Sequence, residues 1–291
     1  MCREYIDINK TIGMTVIFAG LDLEQALSEL TAAEFDAVEV FLGHLGPKDV
    51  DVPIFEAHAS AAGELIRNLG LEVSTLNCIV GDFDPFTSPA SFDKACASLA
   101  GNLRLADAMG SPRVLIWDGE IDDLNLLESA PVSLGNAIER ARELAGLSSP
   151  PDIAVELHPN TFAFKNNLHD EVAETLQKVG AGVCLDFCHA AVALGPDFAN
   201  SLSSEFLSSV SHIHFADSDC ISEQLHFPPS SGSANIDAAE RVLEGRGLSV
   251  AWDLFGWPAP RRTFSLEMAR YRQAVTRISK FVPLTPDDGE K

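Results

Sequence analysis

The sequence predicts an α/β fold: a single (β/α)8 barrel of the TIM type, with its active site at the C-terminal ends of the strands. Three observations carry that expectation. Short apolar strand-like runs alternate with segments of helical spacing eight times over, the pattern of a parallel sheet that closes on itself. At 291 residues the chain exceeds the roughly 250 that such a barrel needs. Four of the runs, all between Asp152 and Asp253, end on metal-type ligands, as side chains converging at one rim of a barrel would.

The first unit reads as a strand over residues 11–18 and a helix over 22–33. A second strand, 37–41, leads through a loop with Gly, Pro and Asp to a helix over 55–69, which Gly70 stops. The third strand, 71–76, ends at Asn77. After a loop with Asp82, Asp84 and Pro85, a long helix runs over 91–109 to a stop at Gly110. Strand 113–117 delivers Asp118 and Gly119 into an acidic loop, and the helix after it, 131–147, ends at Ser148-Ser149-Pro150-Pro151. The last four strands are the ligand-ending runs 153–158, 182–186, 210–214 and 248–253. Helices near 168–178, 200–208 and 236–244 separate them, and a final helix is expected over 263–280. The whole chain, 1–291, reads as one domain with a core over 11–280 and a frayed tail over 283–291. An open doubly wound sheet would want a Gly-rich turn after an early strand, and no GxGxxG or phosphate loop is present.

Composition narrows the function chiefly by exclusion. A hydrophobic content of 46% is that of a folded globular protein. No apolar run approaches the ~20 residues of a membrane span, and the N-terminus has charge where a signal peptide needs an apolar core. A soluble, cytoplasmic protein with no membrane partner is expected. The 43 acidic and 20 basic residues give a net charge of −23, which opposes nucleic acid as a partner. None of the six cysteines forms a CxxC pair, which suits reduced thiols in an intracellular protein and argues against a thiolate zinc site.

The chemistry gathers at the strand ends. Side chains alternate faces along a strand, so Ala154, Glu156 and His158 share a face, as do Cys184 with Asp186, His212 with His214, and Ala251 with Asp253. The same rim collects Glu39, Asn77, Trp117, Asp118 and Asp217, with His44 and His189 just beyond. So many carboxylates in one place are costly unless a cation compensates them. Three carboxylates and one imidazole, without sulfur, suit one divalent metal. Ligand hardness favours Mn²⁺ or Mg²⁺, and Co²⁺ or Zn²⁺ are compatible. Such a metal would polarise a substrate carbonyl or hydroxyl. A neighbouring carboxylate could then remove a proton from the adjacent carbon, giving a metal-stabilised enediolate.

The ordered motifs Val-Glu-Leu-His-Pro, Leu-Asp-Phe-Cys-His-Ala, His-Ile-His-Phe-Ala-Asp and Trp-Asp-Leu-Phe-Gly resemble the xylose-isomerase-like barrel superfamily of sugar and sugar-phosphate isomerases and epimerases. Residues 35–39, 70–74 and 232–237 match as well, so the resemblance spans roughly 11–280. It implies Glu156, Asp186, His214 and Asp253 as metal ligands, with Glu156 and Asp253 also serving as the acid–base pair. It further implies that His189 binds substrate oxygens and that His158 and Trp117 line the pocket. The expected substrate is a small sugar, keto sugar or cyclitol, and relatives of this kind form homodimers or homotetramers. Two positions depart from the pattern. Asp253 stands where the superfamily usually has Glu, and Cys220 where epimerases often place an arginine. These departures keep open a lyase or dehydratase acting on a keto sugar through the same enolate, or a non-catalytic barrel subunit. The abasic-site endonuclease branch needs further metal ligands and a basic surface, which the charge opposes.

Several residues have a plainer reading beside the functional one. His189 could cap the following helix, and Glu39 could touch substrate or merely anchor its loop. Asp217 reads as a substrate contact or a loop anchor, and His212 as a core histidine that orients a ligand. Trp117, Phe255 and Trp257 could stack on a sugar or simply pack. Arg261 and Arg262 read as solvated residues at a helix start. His44, His58, His169 and His226 carry no signal beyond their residue type.

Overall fold

The computed structural model describes residues 11–46, 52–79, 83–228, 231–243 and 246–254. The final helix expected over 263–280, the tail, Asp82, Phe255, Trp257, Arg261 and Arg262 lie outside the described residues.

Eight parallel strands close a barrel: β1 (Ile12–Met14), β2 (Ala37–Phe41), β3 (Glu72–Asn77), β4 (Arg113–Trp117), β5 (Asp152–Glu156), β6 (Gly182–Asp186), β7 (Val210–Phe215) and β10 (Ser249–Trp252). Each pairs with its neighbours in sequence order, and β10 returns to β1 through Ala251 opposite Ile12. The strands after β7, β8 (Asp217–Ser218) and β9 (His226–Phe227), form a separate antiparallel pair above the rim. Nine helices are described: α1 (Leu23–Ala32), α2 (Val52–Asn68), α3 (Pro89–Met109), α4 (Ala130–Ala145), α5 (Phe162–Lys165), α6 (His169–Lys178), α7 (Phe187–Leu194), α8 (Ser204–Ser209) and α9 (Ile236–Leu243).

Local chemistry explains the boundaries. Asp22 caps α1 by accepting from the Gln25 amide at 2.8 Å, and Ser88 closes a reciprocal capping box with Ser91 on α3. Gly110 and Gly146 end α3 and α4 in the left-handed conformation. The strands' outward residues (Val38, Val40, Val114, Ile116, Val155, Val183, Ile213) join the helices in one continuous buried core. Inside the barrel, Ile12, Met14, Ala37 and Ala251 make one small apolar cluster, and Leu115, Ala154 and Cys184 another.

The structure corrects three expectations. The strand expected over 11–18 stops at Met14, and residues Thr15–Phe18 form a 3-10 turn. There the Thr15 hydroxyl accepts from the Phe41 amide at 2.8 Å and bonds His44 at 3.0 Å, folding the chain over the rim. Helix α7, not anticipated, begins directly after β6 because Asp186 is at once the end of the strand and the N-cap. Its Oδ1 accepts from the His189 amide at 2.9 Å. The run 153–158 leaves the sheet at Glu156, so His158 projects from the loop above it.

Candidate active site

At the C-terminal rim, β5, β6, β7 and β10 bring Glu156, Asp186, His214 and Asp253 together. All four are buried, at 1–4% exposure. His214 sits at their centre. Its Nδ1 lies 3.2 Å from Glu156 Oε1, 3.7 Å from Asp186 Oδ2 and 3.8 Å from Asp253 Oδ2. One potential ligand atom from each of Asp186, His214 and Asp253 falls within 4.8 Å of the others, and the same holds for Glu156, Asp186 and His189. His189 Nδ1 approaches Glu156 Oε1 at 3.2 Å, and its ring stands edge-on to His158 with centroids 4.3 Å apart.

Trp117 touches both sides of the arrangement. Its indole Nε1 donates to Glu156 Oε2 at 3.2 Å, and its ring lies 4.9 Å from that of His158. The His158 Nδ1 accepts from the Asn160 amide at 3.3 Å, which leaves the proton on Nε2. Burial, together with neighbouring His189, lowers the His158 pKa to about 4, so this imidazole is a neutral donor.

Glu39 and Asp217 are both engaged in internal hydrogen bonds. Glu39 does not line the cavity. Its carboxylate accepts from Asn77 Nδ2 at 2.7 Å, His212 Nε2 at 2.9 Å and His214 Nε2 at 3.1 Å. Asp217 anchors the loop beyond β7: Oδ1 accepts from the amides of Ser218 (2.8 Å) and Ala234 (3.2 Å), and Oδ2 from Gly232 (2.8 Å). With every one of these contacts internal, neither carboxylate presents an oxygen to the cavity. Both residues, expected at the substrate, make these internal contacts. Cys220 is half-buried outside the cavity.

The residue that sequence reasoning missed is His226. The β8–β9 pair carries it over the rim, where Nδ1 meets Asp253 Oδ2 at 3.0 Å and Asp186 Oδ2 at 3.8 Å, and Nε2 donates to the Glu223 carbonyl at 3.2 Å. Asn160 Nδ2 donates to the Glu223 carboxylate and ties the same hairpin to the loop after β5. The available signal was indirect: an acid one methylene short at 253 calls for a compensating partner from a loop.

The electrostatics follow from this packing. Burial opposes charge on Glu156, but His214 and His189 outweigh it and hold the carboxyl down at about 2. Asp186 is held far below the usual carboxylate range, again against burial, by His189, His226 and His214. Reciprocally, His226 is raised well above the usual histidine range: burial opposes, and Asp253 and Asp186 prevail. Burial pushes the Cys184 thiol up to about 12 and raises Cys188 too. Two donor groups include these thiols, and the set free of sulfur is Glu156, Asp186, His189, His214 and Asp253.

That set fits a divalent cation. Asp186 Oδ2 is fully buried, accepts no hydrogen bond and has its nearest nitrogens at 3.7 Å or more, a negative oxygen aimed into the cluster. Above the cluster lies a cavity of about 320 Å³. Glu156, His158, His189, His214, His226 and Asp253 line it together with Met14, Val16, Phe41, Asn77, Ile79 and Trp117. No Lys or Arg lines it among the described residues.

The family model described as xylose isomerase-like TIM barrel matches residues 27–270, and the chain belongs to that family. No curated protein matches it. Among solved structures, it resembles a D-tagatose 3-epimerase-like protein at 17% identity and TM-score 0.69, covering 92% of this chain and 98% of that one. It resembles the IOLI protein with a bound zinc atom at 14% identity and TM-score 0.67, covering 94% and 99%. Endonuclease IV from Thermus thermophilus is similar at 20% identity and TM-score 0.60, covering 91% and 98%. The chain also spans 45% of a xylose isomerase-like TIM barrel/4-hydroxyphenylpyruvate dioxygenase fusion protein, at 17% identity and TM-score 0.68. At these identities the likeness is one of fold.

Proposed function

We propose that this protein is a divalent-metal-dependent isomerase or epimerase of a small sugar, keto sugar or cyclitol, working by proton transfer at the carbon next to a carbonyl. The observation that carries the reading is the buried, unbonded Oδ2 of Asp186, clustered with Glu156, His214 and Asp253, the last three of which line the cavity. Those four residues would hold the ion. When bound, it supplies Lewis acidity at the substrate oxygens, and Mn²⁺ or Mg²⁺ suits the oxygen-rich donors.

The chain's own residues do the rest. Glu156, fixed by the Trp117 indole, takes the proton from carbon, and the electron pair moves towards the carbonyl oxygen. Return of the proton to the neighbouring carbon, with the hydroxyl proton on that carbon's oxygen passing to the former carbonyl oxygen, gives isomerisation. Delivery of a different proton, carried by Asp253 three strands round the barrel, to the opposite face of the same carbon gives epimerisation and leaves Glu156 protonated until it exchanges with solvent. Asp253 is oriented for this by His226. His158 and His189 donate to substrate oxygens, while Trp117 and Phe41 cover the apolar face of the carbon skeleton and keep water out. The absence of a phosphate-binding loop from the sequence favours an unphosphorylated substrate. The charge of −23 disfavours a DNA backbone as the alternative ligand of this fold.

Elemental analysis after metal add-back, with solvent-deuterium exchange into a panel of ketoses and inososes, tests the reading. One ion per chain, lost in Asp186→Ala, and metal-dependent exchange at the carbon next to a carbonyl are expected. Full exchange in the metal-free protein, or no ion retained after add-back, would sink it.

A further inference from the structure

Beneath the cluster, the barrel interior holds a run of polar contacts that no step of the proposed chemistry uses. Arg113, the first residue of β4, shares the inward face of that strand with Leu115 and Trp117. Its Nη1 lies 3.2 Å from His212 Nδ1. His212 Nε2 lies 2.9 Å from Glu39 Oε2, and Glu39 Oε1 lies 3.1 Å from His214 Nε2. Four side chains from β4, β7, β2 and β7 thus connect the lower barrel to the residue at the centre of the candidate metal centre.

The direction of each bond in this run follows from two facts, that a guanidinium only donates and that an ionised carboxylate only accepts. A guanidinium carries donors only and keeps its proton in proteins. Facing Arg113, His212 Nδ1 must therefore accept, so the His212 proton is on Nε2 and is donated to Glu39. Glu39 accepts from His212 and Asn77. The Asn77 amide is itself oriented, because its Oδ1 accepts from the Ile79 amide at 3.1 Å. The remaining contact of Glu39 is with His214 Nε2, which must donate. His214 then has Nδ1, the nitrogen facing Glu156, Asp186 and Asp253, as the one through which it can lose a proton or bind an ion.

We propose that Arg113 is a positioning residue: through His212 and Glu39 it locks the proton of His214 on Nε2 and reserves Nδ1 for the carboxylate cluster. The ion in this statement rests on the proposed function, whereas the proton placement does not. A carboxylate behind a ligating histidine is a general device for fixing ring orientation and basicity, and its loss costs about 10- to 100-fold in metal affinity. This barrel adds a permanent cation two residues further back.

The test uses the full chain labelled with ¹⁵N-histidine, together with Zn²⁺ titration calorimetry on wild type, Arg113→Met, Arg113→Lys and Glu39→Gln. Two-bond proton–nitrogen spectra of wild type are expected to show His212 and His214 protonated on Nε2, with the His212 Nδ1 bare. Zn²⁺ should shift the His214 Nδ1 resonance and leave its Nε2 proton in place. In Arg113→Met the single His212 tautomer should be lost and Zn²⁺ affinity should fall about tenfold, with Arg113→Lys recovering part of both. Glu39→Gln should fall at least as far, since an amide cannot accept from both histidines.

A proton on His212 Nδ1 in wild type would overturn the proposal. So would an Arg113→Met protein that keeps both the tautomer and wild-type affinity. If Arg113→Met does not fold, the wild-type spectrum and Arg113→Lys decide. Wild type that binds no Zn²⁺ would count against the metal centre alone, and the histidine spectra would still judge the relay.

Discussion

Asp118 offers a direct test of how this rim stores electrostatic cost. It follows Trp117 at the end of β4 and is fully buried. Its Oδ2 accepts from the Ala163 amide at 2.9 Å, while Oδ1 lacks a hydrogen bond. Burial raises its pKa from 3.8 to about 7, with the hydrogen bonds opposing. The sign is set by proton binding. Between about pH 4 and 7 the folded protein holds a proton that the unfolded chain has released, so Asp118 makes stability fall as pH rises. At about 1.4 kcal/mol per pH unit the whole effect approaches 4 kcal/mol, and about 2 kcal/mol of it falls between about pH 5.5 and 8. Asp118→Asn keeps an oxygen for Ala163 and cannot ionise. Urea denaturation of metal-free wild type and variant at those two pH values should show the variant gaining about 2 kcal/mol relative to wild type on going to the higher pH. Taking the difference cancels the cluster carboxylates, whose depressed pKa values act in the opposite direction. A difference that stays constant within about 0.5 kcal/mol would mean that water or a cation reaches Asp118, and the argument from burial would be wrong.

Trp117→Phe keeps a ring beside His158 but removes the donor to Glu156. With hydrogen bonds to charged groups contributing about 1.5–3 kcal/mol, proton exchange should slow by about tenfold or more, and an unchanged rate would reduce Trp117 to a wall. Gly232→Ala would put a Cβ 2.5 Å from Asp217 Oδ1 and against the Ser218 carbonyl. We expect a loss of roughly 1–3 kcal/mol and faster limited proteolysis in the 218–235 loop; a digestion pattern identical to wild type would show that the anchor tolerates the change. His226→Gln removes the imidazole between Asp253 and Asp186. Calorimetric melting should show a lower Tm without metal and a larger gain on adding Mn²⁺ than in wild type, because the ion then replaces a lost positive charge. Equal gains in the two proteins would show that His226 does not balance the cluster.

What could be read from the sequence and what could not divide along physical lines. A strand has a period of two and a barrel has one rim, so the four ligand-ending runs could be expected to converge there. The choice of Glu156, Asp186, His214 and Asp253 among their residues is what the resemblance implies. The same period says nothing about depth where the register slips. β2 and β3 shift between Val38 and Glu39, and β6 and β7 between Val183 and Cys184, and Glu39 is engaged beneath His214 rather than at the cavity. The β8–β9 pair was invisible because two-residue strands have no period. That loop is shaped by Asp217 gathering amides from as far on as Gly232 and Ala234, contacts that composition does not announce. Helix α7 was missed because no linker separates it from β6; one aspartate serves as strand end, helix cap and member of the cluster.

The same loop meets Asp253 from above the rim. Its carboxylate starts about one bond length further from the centre of the rim than a glutamate would. In this chain His226 comes down from the hairpin to meet Asp253 Oδ2 at 3.0 Å, and the hairpin is held by Asp217 at its base and by the Asn160–Glu223 contact near its tip. The same imidazole nitrogen also faces Asp186 Oδ2 at 3.8 Å. Each shared carboxylate draws the two sides of the site into one electrostatic unit: His214 reaches it from below through Glu39, and His226 from above through the hairpin. A substitution in the 218–235 loop should consequently be felt at Asp253 and Asp186, although neither residue belongs to that loop.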